Sequence, residues 1–248
     1  MGEMVLKNVK CYVGGYDLSG TYNQCKLSQN ADLVDKTAFG SSARKRAAGL
    51  KDVELTVGGF YNPSSSKQNA HVHFLNVGCT GKEITVVPQG TGLGNIAYFS
   101  NACQSEYSAG GNIGEMLGFN VVAYGYGAPL IRGQVAEQGL MGTTTPVVTP
   151  VSLGFRSTNQ RLYAAHHCLT MSSSGHKITA SIQISSASGF AAITTALKFN
   201  QTTIANRSEF KSTACSTAKQ WYRAKITGSA AAVRANMMVT FGLQKKFN

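Results

Sequence analysis

Residues 32–60 read DLVDKTAFGSSARKRAAGLKDVELTVGGF, and this stretch decides the fold prediction more than any other. Its first part is short and polar, and residues 37–40 open a loop of mostly small side chains. Residues 53–57 then alternate apolar and polar side chains, as a strand with one buried face does. The stretch therefore predicts a loop, a basic turn at residues 44–46 and a β-strand.

The order of these features resembles the major tail tube proteins of long-tailed bacteriophages. An acidic residue precedes the Thr-Ala-Phe-Gly loop, a basic turn follows, and Gly-Leu-Lys-Asp leads into a strand that ends Gly-Gly-Phe. The resemblance extends as far as residues 129–135. It implies a small β-sandwich with one short helix, a structural role, and no catalytic, cofactor-binding or metal-binding residue.

Composition also predicts an all-β fold. Among 248 residues there are 27 glycines and only 14% charged residues, and β-branched and aromatic side chains recur in short runs between Gly, Ser and Asn. This composition is typical of sandwiches and barrels. We expect two antiparallel β-sandwich or barrel domains, the first similar to a tail tube fold and the second similar to an immunoglobulin or jelly-roll fold.

The first half contains a recognisable series of strands and one ambiguous segment. Strands are predicted around residues 9–13, 83–88, 96–99 and 118–126, in addition to 53–57. Between Lys67 and Gly78 the spacing of apolar residues fits a helix and a strand equally well. The resemblance to tail tube proteins favours a short helix there.

The second half shows clearer alternation. Residues 178–184, 193–199, 221–226 and 233–241 each alternate apolar with polar or small side chains. Strands at these intervals indicate an antiparallel sandwich. Between residues 160 and 224 the sequence also resembles accessory β-sandwich modules of phage structural proteins. This resemblance implies no activity.

The net charge of +12 is divided unevenly along the chain. Up to Thr145 there are eleven Lys and Arg against ten Asp and Glu, whereas from Pro146 onward there are twelve against one. This shift predicts a first domain at 1–142, a Thr/Pro linker at 143–150 and a basic module at 151–248.

The basic module invites three interpretations. Its cations could serve solubility, attract an acidic protein lattice or bind DNA. They are scattered and lack interleaved aromatic side chains, so we favour a protein partner over single-stranded nucleic acid. The predicted basic surface consists of Lys177, Lys198, Arg207, Lys211, Arg223 and Lys225.

A second candidate site lies in the first domain. The loop around the basic turn combines small residues, three adjacent cations and flanking acids, which suits a contact with a neighbouring subunit. The hypothetical inter-subunit loop consists of Asp35, Phe39, Arg44, Lys45, Arg46, Leu50 and Asp52.

No pattern indicates an enzyme. Ser-x-x-Lys occurs four times in a serine-rich chain without the elements that accompany it in acyl transfer, which favours coincidence. His71 and His73, and the cluster His166-His167-Cys168, lack the spacing of a metal site, so ordinary core or surface histidines are favoured. The six cysteines show no Cys-x-x-Cys pair and are predicted to be buried thiols rather than disulfides.

These observations predict a virion structural protein that forms stacked rings of a phage tail tube, with DNA only as passing cargo and other phage structural proteins as neighbours. The alternative is a decoration protein of the capsid surface; a DNA-binding protein and an enzyme come third and fourth. We expect assembly in the host bacterial cytoplasm, because the N-terminus lacks the features of a secretory signal and no apolar run is long enough for a membrane span. No cofactor and no membrane contact are expected.

Overall fold

A computed structural model describes residues 8–39, 42–61, 78–141, 150–154, 159–172, 176–215, 219–229 and 233–245. Within these ranges the fold is all-β and contains no helix, which confirms the predicted fold class. The strands in chain order are β1 (Lys10–Val13), β2 (Tyr16–Asp17), β3 (Tyr22–Asp35), β4 (Arg46–Phe60), β5 (Gly78–Val87), β6 (Ile96–Gly110), β7 (Gly118–Gly125), β8 (Ile131–Met141), β9 (Val151–Ser152), β10 (Gln160–Met171), β11 (Ile178–Ser185), β12 (Thr194–Lys198), β13 (Arg207–Ala214), β14 (Trp221–Gly228) and β15 (Ala235–Lys245).

The strands form two antiparallel sheets. The larger has eleven strands, eight of them in the order β13-β10-β15-β8-β6-β5-β1-β2. The long strand β6 also pairs with β7, which pairs with β4, which pairs with β3. The smaller sheet has the order β12-β11-β14-β9.

The first core lies among strands β1, β4, β5, β6 and β7. Val53, Leu55 and Val57 of β4 are buried in or beside it, as their alternation predicts. Their cross-strand neighbours on β7 are equally buried, among them Val121 and Ala123. Alternating apolar side chains on adjacent strands thus build one face of this core.

The second core lies between the smaller sheet and strands β10 and β15 of the larger one. Strand β14 shows why the alternation predicts this correctly: Tyr222, Ala224 and Ile226 are buried, while Lys225 between them is exposed. Strands β11, β12 and β15 contribute their apolar positions in the same way. The two layers form a sandwich around these side chains.

One continuous sheet joins the two halves of the chain. The last strand, β15, pairs with β8 from Ala235 opposite Met141 to Phe241 opposite Gln134. Backbone hydrogen bonds therefore cross the compositional boundary. Most of the predicted linker, residues 143–149, lies outside the described residues, and the division into two domains stays a prediction.

The two ends of the eight-strand path come together around His167 of β10. The His167 ring accepts a hydrogen bond at Nδ1 from the Gly15 amide at 3.3 Å and contacts Thr85 Oγ1 through Nε2 at 2.8 Å. It also lies 5.8 Å from the Tyr12 ring, centroid to centroid. Glu83 of β5 accepts a hydrogen bond from Ser208 of β13 beside them. The path is therefore curved so that the β1, β2 and β5 region packs against β10 and β13.

The structure differs from the sequence predictions at several elements. Residues 32–35 belong to strand β3 rather than to a loop, and β4 begins at Arg46, seven residues before the predicted strand. Strands β8, β10 and β13 were not predicted. The expected helix after Lys67 lies outside the described residues.

The prediction that all cysteines are thiols is wrong at Cys103, which is disulfide-bonded. Cys11 and Cys168 are buried thiols, as predicted, and Cys25 is a partly buried one. Burial raises the pKa of Cys168 to about 11. The bond at Cys103 escaped prediction because the sequence has no Cys-x-x-Cys pair to indicate it. Within the described ranges, no helix is long and apolar enough to cross a membrane.

A glycine marks the closest approach between β8 and β15. A Cβ atom on Gly133 would lie 2.2 Å from the Phe241 carbonyl oxygen and 2.8 Å from the Phe99 ring. We expect Gly133→Ala to lower the free energy of unfolding by about 3 kcal/mol, because backbone must move to relieve the overlap. Gly20→Ala is the control, since no atom lies within 4 Å of the added methyl group, and should change stability by less than about 0.5 kcal/mol. Equal midpoints in urea for the two variants would contradict this packing.

Candidate functional site: a projecting β-hairpin arm

Strands β3 and β4 form a hairpin that extends beyond the rest of its sheet. Strand β4 pairs with β7 only from Glu54 onward, whereas its pairing with β3 continues to Arg46 opposite Asp35. We call residues 29–53 the arm. In the described part of the arm only two strands are present, and neither has a further strand beside it. The arm is therefore a two-stranded ribbon without a core of its own.

Hydrogen bonds around Asp35 hold the end of the arm. Its Oδ1 accepts bonds from the Thr37 amide at 2.9 Å and from the Thr37 hydroxyl at 2.5 Å. The Thr37 Oγ1 in turn accepts a bond from the Lys45 amide, and the Lys36 amide donates to the Lys45 carbonyl. The two bonds from Thr37 lower the pKa of Asp35, and the bond from the Thr37 side chain contributes most. The connection thus begins and ends in a defined turn.

A bulge lies halfway along the arm. The register shifts between Ala31 and Leu33, and Gly49 lies opposite, where an added Cβ would come within 3.2 Å of the Asp32 Cβ. Bulges bend a ribbon and increase its twist. Glycine at position 49 permits this close approach.

The arm carries large apolar side chains that contact little of the chain. Phe39 at the tip is fully exposed, with a relative accessibility of 111%, and Leu50 has 83%. Leu33 and Val34 on β3 are more than half exposed. Isolated exposed apolar residues are ordinary, but four on one unsupported ribbon indicate a surface that another molecule covers.

Three adjacent cations lie at the same end of the arm as Phe39. Arg44 and Lys45 lie in the connection and Arg46 is the first residue of β4; all three are exposed. Asp52 accepts a hydrogen bond from the Val53 amide at the base of the arm. The structure therefore brings all seven residues of the predicted inter-subunit loop together on the arm, although on a hairpin rather than a loop.

A second exposed tip lies on the hairpin between β6 and β7, which sequence reasoning did not single out. We call residues 111–117 the β6–β7 tip. Ile113 is fully exposed at 106%, and Met116 and Leu117 are exposed beside it. A turn holds them: the Glu115 amide donates to the Asn112 carbonyl, and the Asn112 amide group donates to the Glu115 carboxylate at 3.0 Å. In the sequence, the Gly-Gly-Asn-Ile-Gly turn with apolar residues at its end could have indicated this tip.

The predicted basic surface is not one continuous site. Lys177, Lys198, Arg207 and Lys225 are exposed, but they lie on different strands and loops. Lys198 and Lys225 come closest to a pair, because both lie opposite Ser181 on the smaller sheet.

Lys211 and Arg223 have protein partners. Lys211 forms an ion pair with Glu209 at 2.8 Å and also donates to the Lys198 carbonyl. Arg223 is only 8% exposed; its Nε donates to Gln183 Oε1 at 2.9 Å, and its guanidinium lies 4.2 Å from the centre of the Phe190 ring. Burial lowers the pKa of Arg223. The assignment of Arg223 to an exposed surface is therefore wrong.

The histidine cluster is part of the core. His166 and His167 are adjacent on β10, so their side chains point to opposite faces of the sheet. His166 is 2% exposed. Its ring packs edge-on with the Phe199 ring, and the two ring centres are 4.6 Å apart. Burial lowers the pKa of His166 to about 4 and that of His167 to about 3. The sequence favoured core or surface histidines without deciding between them, and this pair lies in the core; His71 and His73 lie outside the described residues.

Of the four Ser-x-x-Lys motifs, only Ser208/Lys211 has both residues within the described ranges, and it does not assemble a reactive group. Ser208 donates its hydroxyl proton to Glu83, and Lys211 pairs with Glu209, so this Ser-x-x-Lys pair is engaged elsewhere. Among the described residues there is no group of three or more His, Cys, Asp or Glu side chains that could hold a metal ion.

Comparisons with known proteins give structural similarities only. No family model matches the chain, and no curated protein does. Among solved structures, the tail of an empty gene transfer agent particle shares 16% identity at a TM-score of 0.35, over 44% of this chain and 80% of that one.

Two other structures show similarity of the same order. The SPP1 Dit protein, described as a hub adsorption apparatus, shares 14% identity at a TM-score of 0.38, over 96% of this chain and 100% of that one. The sheath-tube complex of an extracellular contractile injection system shares 12% at 0.41, over 52% and 92%.

Proposed function

We propose that this chain is a structural subunit of a phage-type tail, and specifically that it assembles into stacked rings that form a tail tube. The observation that carries the proposal is the arm, a two-stranded ribbon with exposed Phe39 and Leu50 and three adjacent cations. The arm also includes most of the sequence stretch that resembles tail tube proteins. An enzymatic role is not part of the proposal.

The physical reason is the stability of the arm. An isolated two-stranded hairpin is at best marginally stable in water, and a third strand or a packed surface is needed to hold it. The described side chains from Gln29 to Asp52 are exposed, except for Ala47, which is partly buried. A neighbouring subunit would supply the missing surface. Assembly would thus complete the fold of each copy.

Lateral contacts in the ring would use the outer edge of β3. This strand has 14 residues and, among the strands that the structure describes, pairs only with β4, so no described strand lies along its other side. A long open edge favours pairing with another strand. Continuing the sheet into the next copy would satisfy these backbone groups and close a ring.

The position of the basic second half follows from the passage of DNA. Each phosphate that a cation neutralises releases counterions and adds affinity, which would retard sliding. The exposed cations Lys177, Lys198 and Lys225 would therefore lie outside the lumen, next to other proteins of the particle.

Negative-stain microscopy of the purified chain tests the proposal. We expect hollow rods of uniform diameter that lengthen with protein concentration. A chain that stays monomeric at high concentration and in the presence of tail extracts would overturn the tube assignment.

A capsid decoration protein is the second candidate. The observation that favours it is the pair Lys198 and Lys225 on the outer face of the smaller sheet, which suits an acidic lattice. This function predicts binding to expanded empty heads without self-assembly. Sedimentation of the chain with such heads, compared with the chain alone, distinguishes the two candidates.

A further inference from the structure

Strand β4 connects two exposed tips that lie at opposite ends of the molecule's sheet. Its first residue, Arg46, lies at the end of the arm, and its last residue, Phe60, pairs with Gly118 beside the β6–β7 tip. The strand has 15 residues, so its first and last residues lie about 46 Å apart at about 3.3 Å per step. The two tips therefore cannot contact each other within one copy.

Both tips are apolar. The arm presents Phe39 at its end, and the β6–β7 tip presents Ile113, Met116 and Leu117, with Phe60 of β4 partly exposed beside them. The backbone places Phe60 there, because the Tyr61 amide donates to the Leu117 carbonyl at 2.8 Å. Each tip offers a small hydrophobic surface, which is the usual centre of a protein interface.

The two tips carry opposite charge. Residues 36–46 include four cations and no acid, and Arg44, Lys45 and Arg46 are exposed. Residues 83–131 contain no Lys or Arg at all, while Glu106 on β6 and Glu115 at the tip are exposed. Opposite charges around an apolar centre favour one orientation of binding and disfavour contacts between like tips.

We propose that the end of the arm docks on the β6–β7 tip of a second copy of this chain. Phe39 packs against Ile113 and Met116, and the basic turn faces Glu106 and Glu115. The contact joins different surfaces of the two copies, so it is heterologous and can repeat from one copy to the next. This inference rests on the proposed tube function and identifies the surface through which one ring binds the next.

The geometry accounts for axial growth rather than dimerisation. A pair joined through like tips would place two basic turns or two acidic tips together, which is unfavourable. A head-to-tail contact leaves one free arm end and one free β6–β7 tip at the two ends of every stack. Each added copy or ring therefore creates the same binding surface that it consumes.

Site-specific cross-linking tests the contact directly. Chains with Phe39→Cys are mixed with chains carrying Ile113→Cys under assembly conditions and oxidised. We expect a disulfide-linked pair of unlike chains, identified by mass spectrometry. The matched control is Phe39→Cys mixed with Ile193→Cys, an exposed position in the second half, which should give no more dimer than the unsubstituted chain.

A charge exchange provides the second measurement. Glu106→Lys with Glu115→Lys should reduce rod mass at least tenfold, and combining it with Arg44→Glu and Lys45→Glu in the same chain should restore rods. If the unsubstituted chain forms rods but the Phe39 to Ile113 cross-link does not form, or the charge exchange does not restore rods, this contact is overturned and the tube function stands. Failure of the unsubstituted chain to form rods overturns both.

Discussion

The triple variant Arg44→Glu, Lys45→Glu and Arg46→Glu is expected to form no rods at concentrations at which the unsubstituted chain assembles completely. The three side chains are exposed at the end of the arm. Reversing them places acids where the proposed contact meets Glu106 and Glu115, and like charges across an interface cost several kcal/mol. Because each copy repeats the contact, the loss accumulates along the tube. Pelleting and negative-stain microscopy measure it.

The fold of this variant should be intact. The bonds that shape the turn use the backbone of Lys45 and the side chains of Asp35 and Thr37, none of which changes. Surface substitutions of this kind usually alter stability by less than about 0.5 kcal/mol each. Thermal unfolding should therefore match that of the unsubstituted chain.

The control for charge alone is Lys177→Glu, Lys198→Glu and Lys225→Glu. It changes the formal net charge by the same amount at three exposed positions of the second half. We expect rods of normal length from it. Normal rods from the arm variant, or loss of rods from both variants, would contradict a specific role of the basic turn.

Sequence patterns predicted strands that have one buried face. Val53 to Val57 show this, because Val53, Leu55 and Val57 are all buried and the last two belong to the first core. Residues 46–52 of the same strand were missed for a physical reason: with neither face buried, nothing constrains them to alternate. The same holds for the outer half of β3, so the part of the molecule most relevant to assembly leaves the weakest periodic signal.

Pairing between distant strands could not be predicted. Strand β8 and strand β15 are about a hundred residues apart, and neither contains a motif that names its partner. The charge shift near Thr145 suggested a boundary in composition, yet the sheet is continuous across it. Register in a sheet is set by packing of the faces, which becomes visible only in three dimensions.

Burial of individual polar groups was likewise beyond the sequence. Arg223 alternates along β14 as an outward residue should, but Phe190 and Gln183 come from other segments to cover it. The seven residues of the candidate arm site were found because they are adjacent in sequence. The β6–β7 tip was not, because its importance depends on its position relative to the arm.

Acid is expected to destabilise the fold steeply through the two buried histidines. Burial lowers the pKa of His166 to about 4 and of His167 to about 3, from an ordinary 6.5. The folded chain therefore keeps both rings neutral at pH 5, while the unfolded chain binds a proton on each. Stability contributed by this difference is present above pH 6.5 and is lost as the pH falls toward the folded values. Between pH 7 and pH 5 the loss should be about 2 kcal/mol for each histidine.

The surroundings of the two rings are consistent with this direction. Glu209 lies opposite His166 on β13 and favours the protonated form, but burial, the largest effect, outweighs Glu209, and Lys211 acts in the same direction as burial. At His167 the neighbouring His166 adds to the effect of burial. A protonated His167 would also lose the acceptor nitrogen that the Gly15 amide uses. Acid should consequently loosen the junction between β10 and the β1 and β2 region.

The slope of stability against pH isolates the histidines from other groups. Urea unfolding near pH 5 should give about 2.7 kcal/mol per pH unit for two protons taken up, and His167→Gln should reduce that slope by about half. His176→Gln is the matched control, because it removes a histidine that precedes β11 and is only partly buried. The slope can be compared even where a variant is less stable at neutral pH. An unchanged slope in His167→Gln would show that this ring is protonated in the folded chain and would remove it from the acid response.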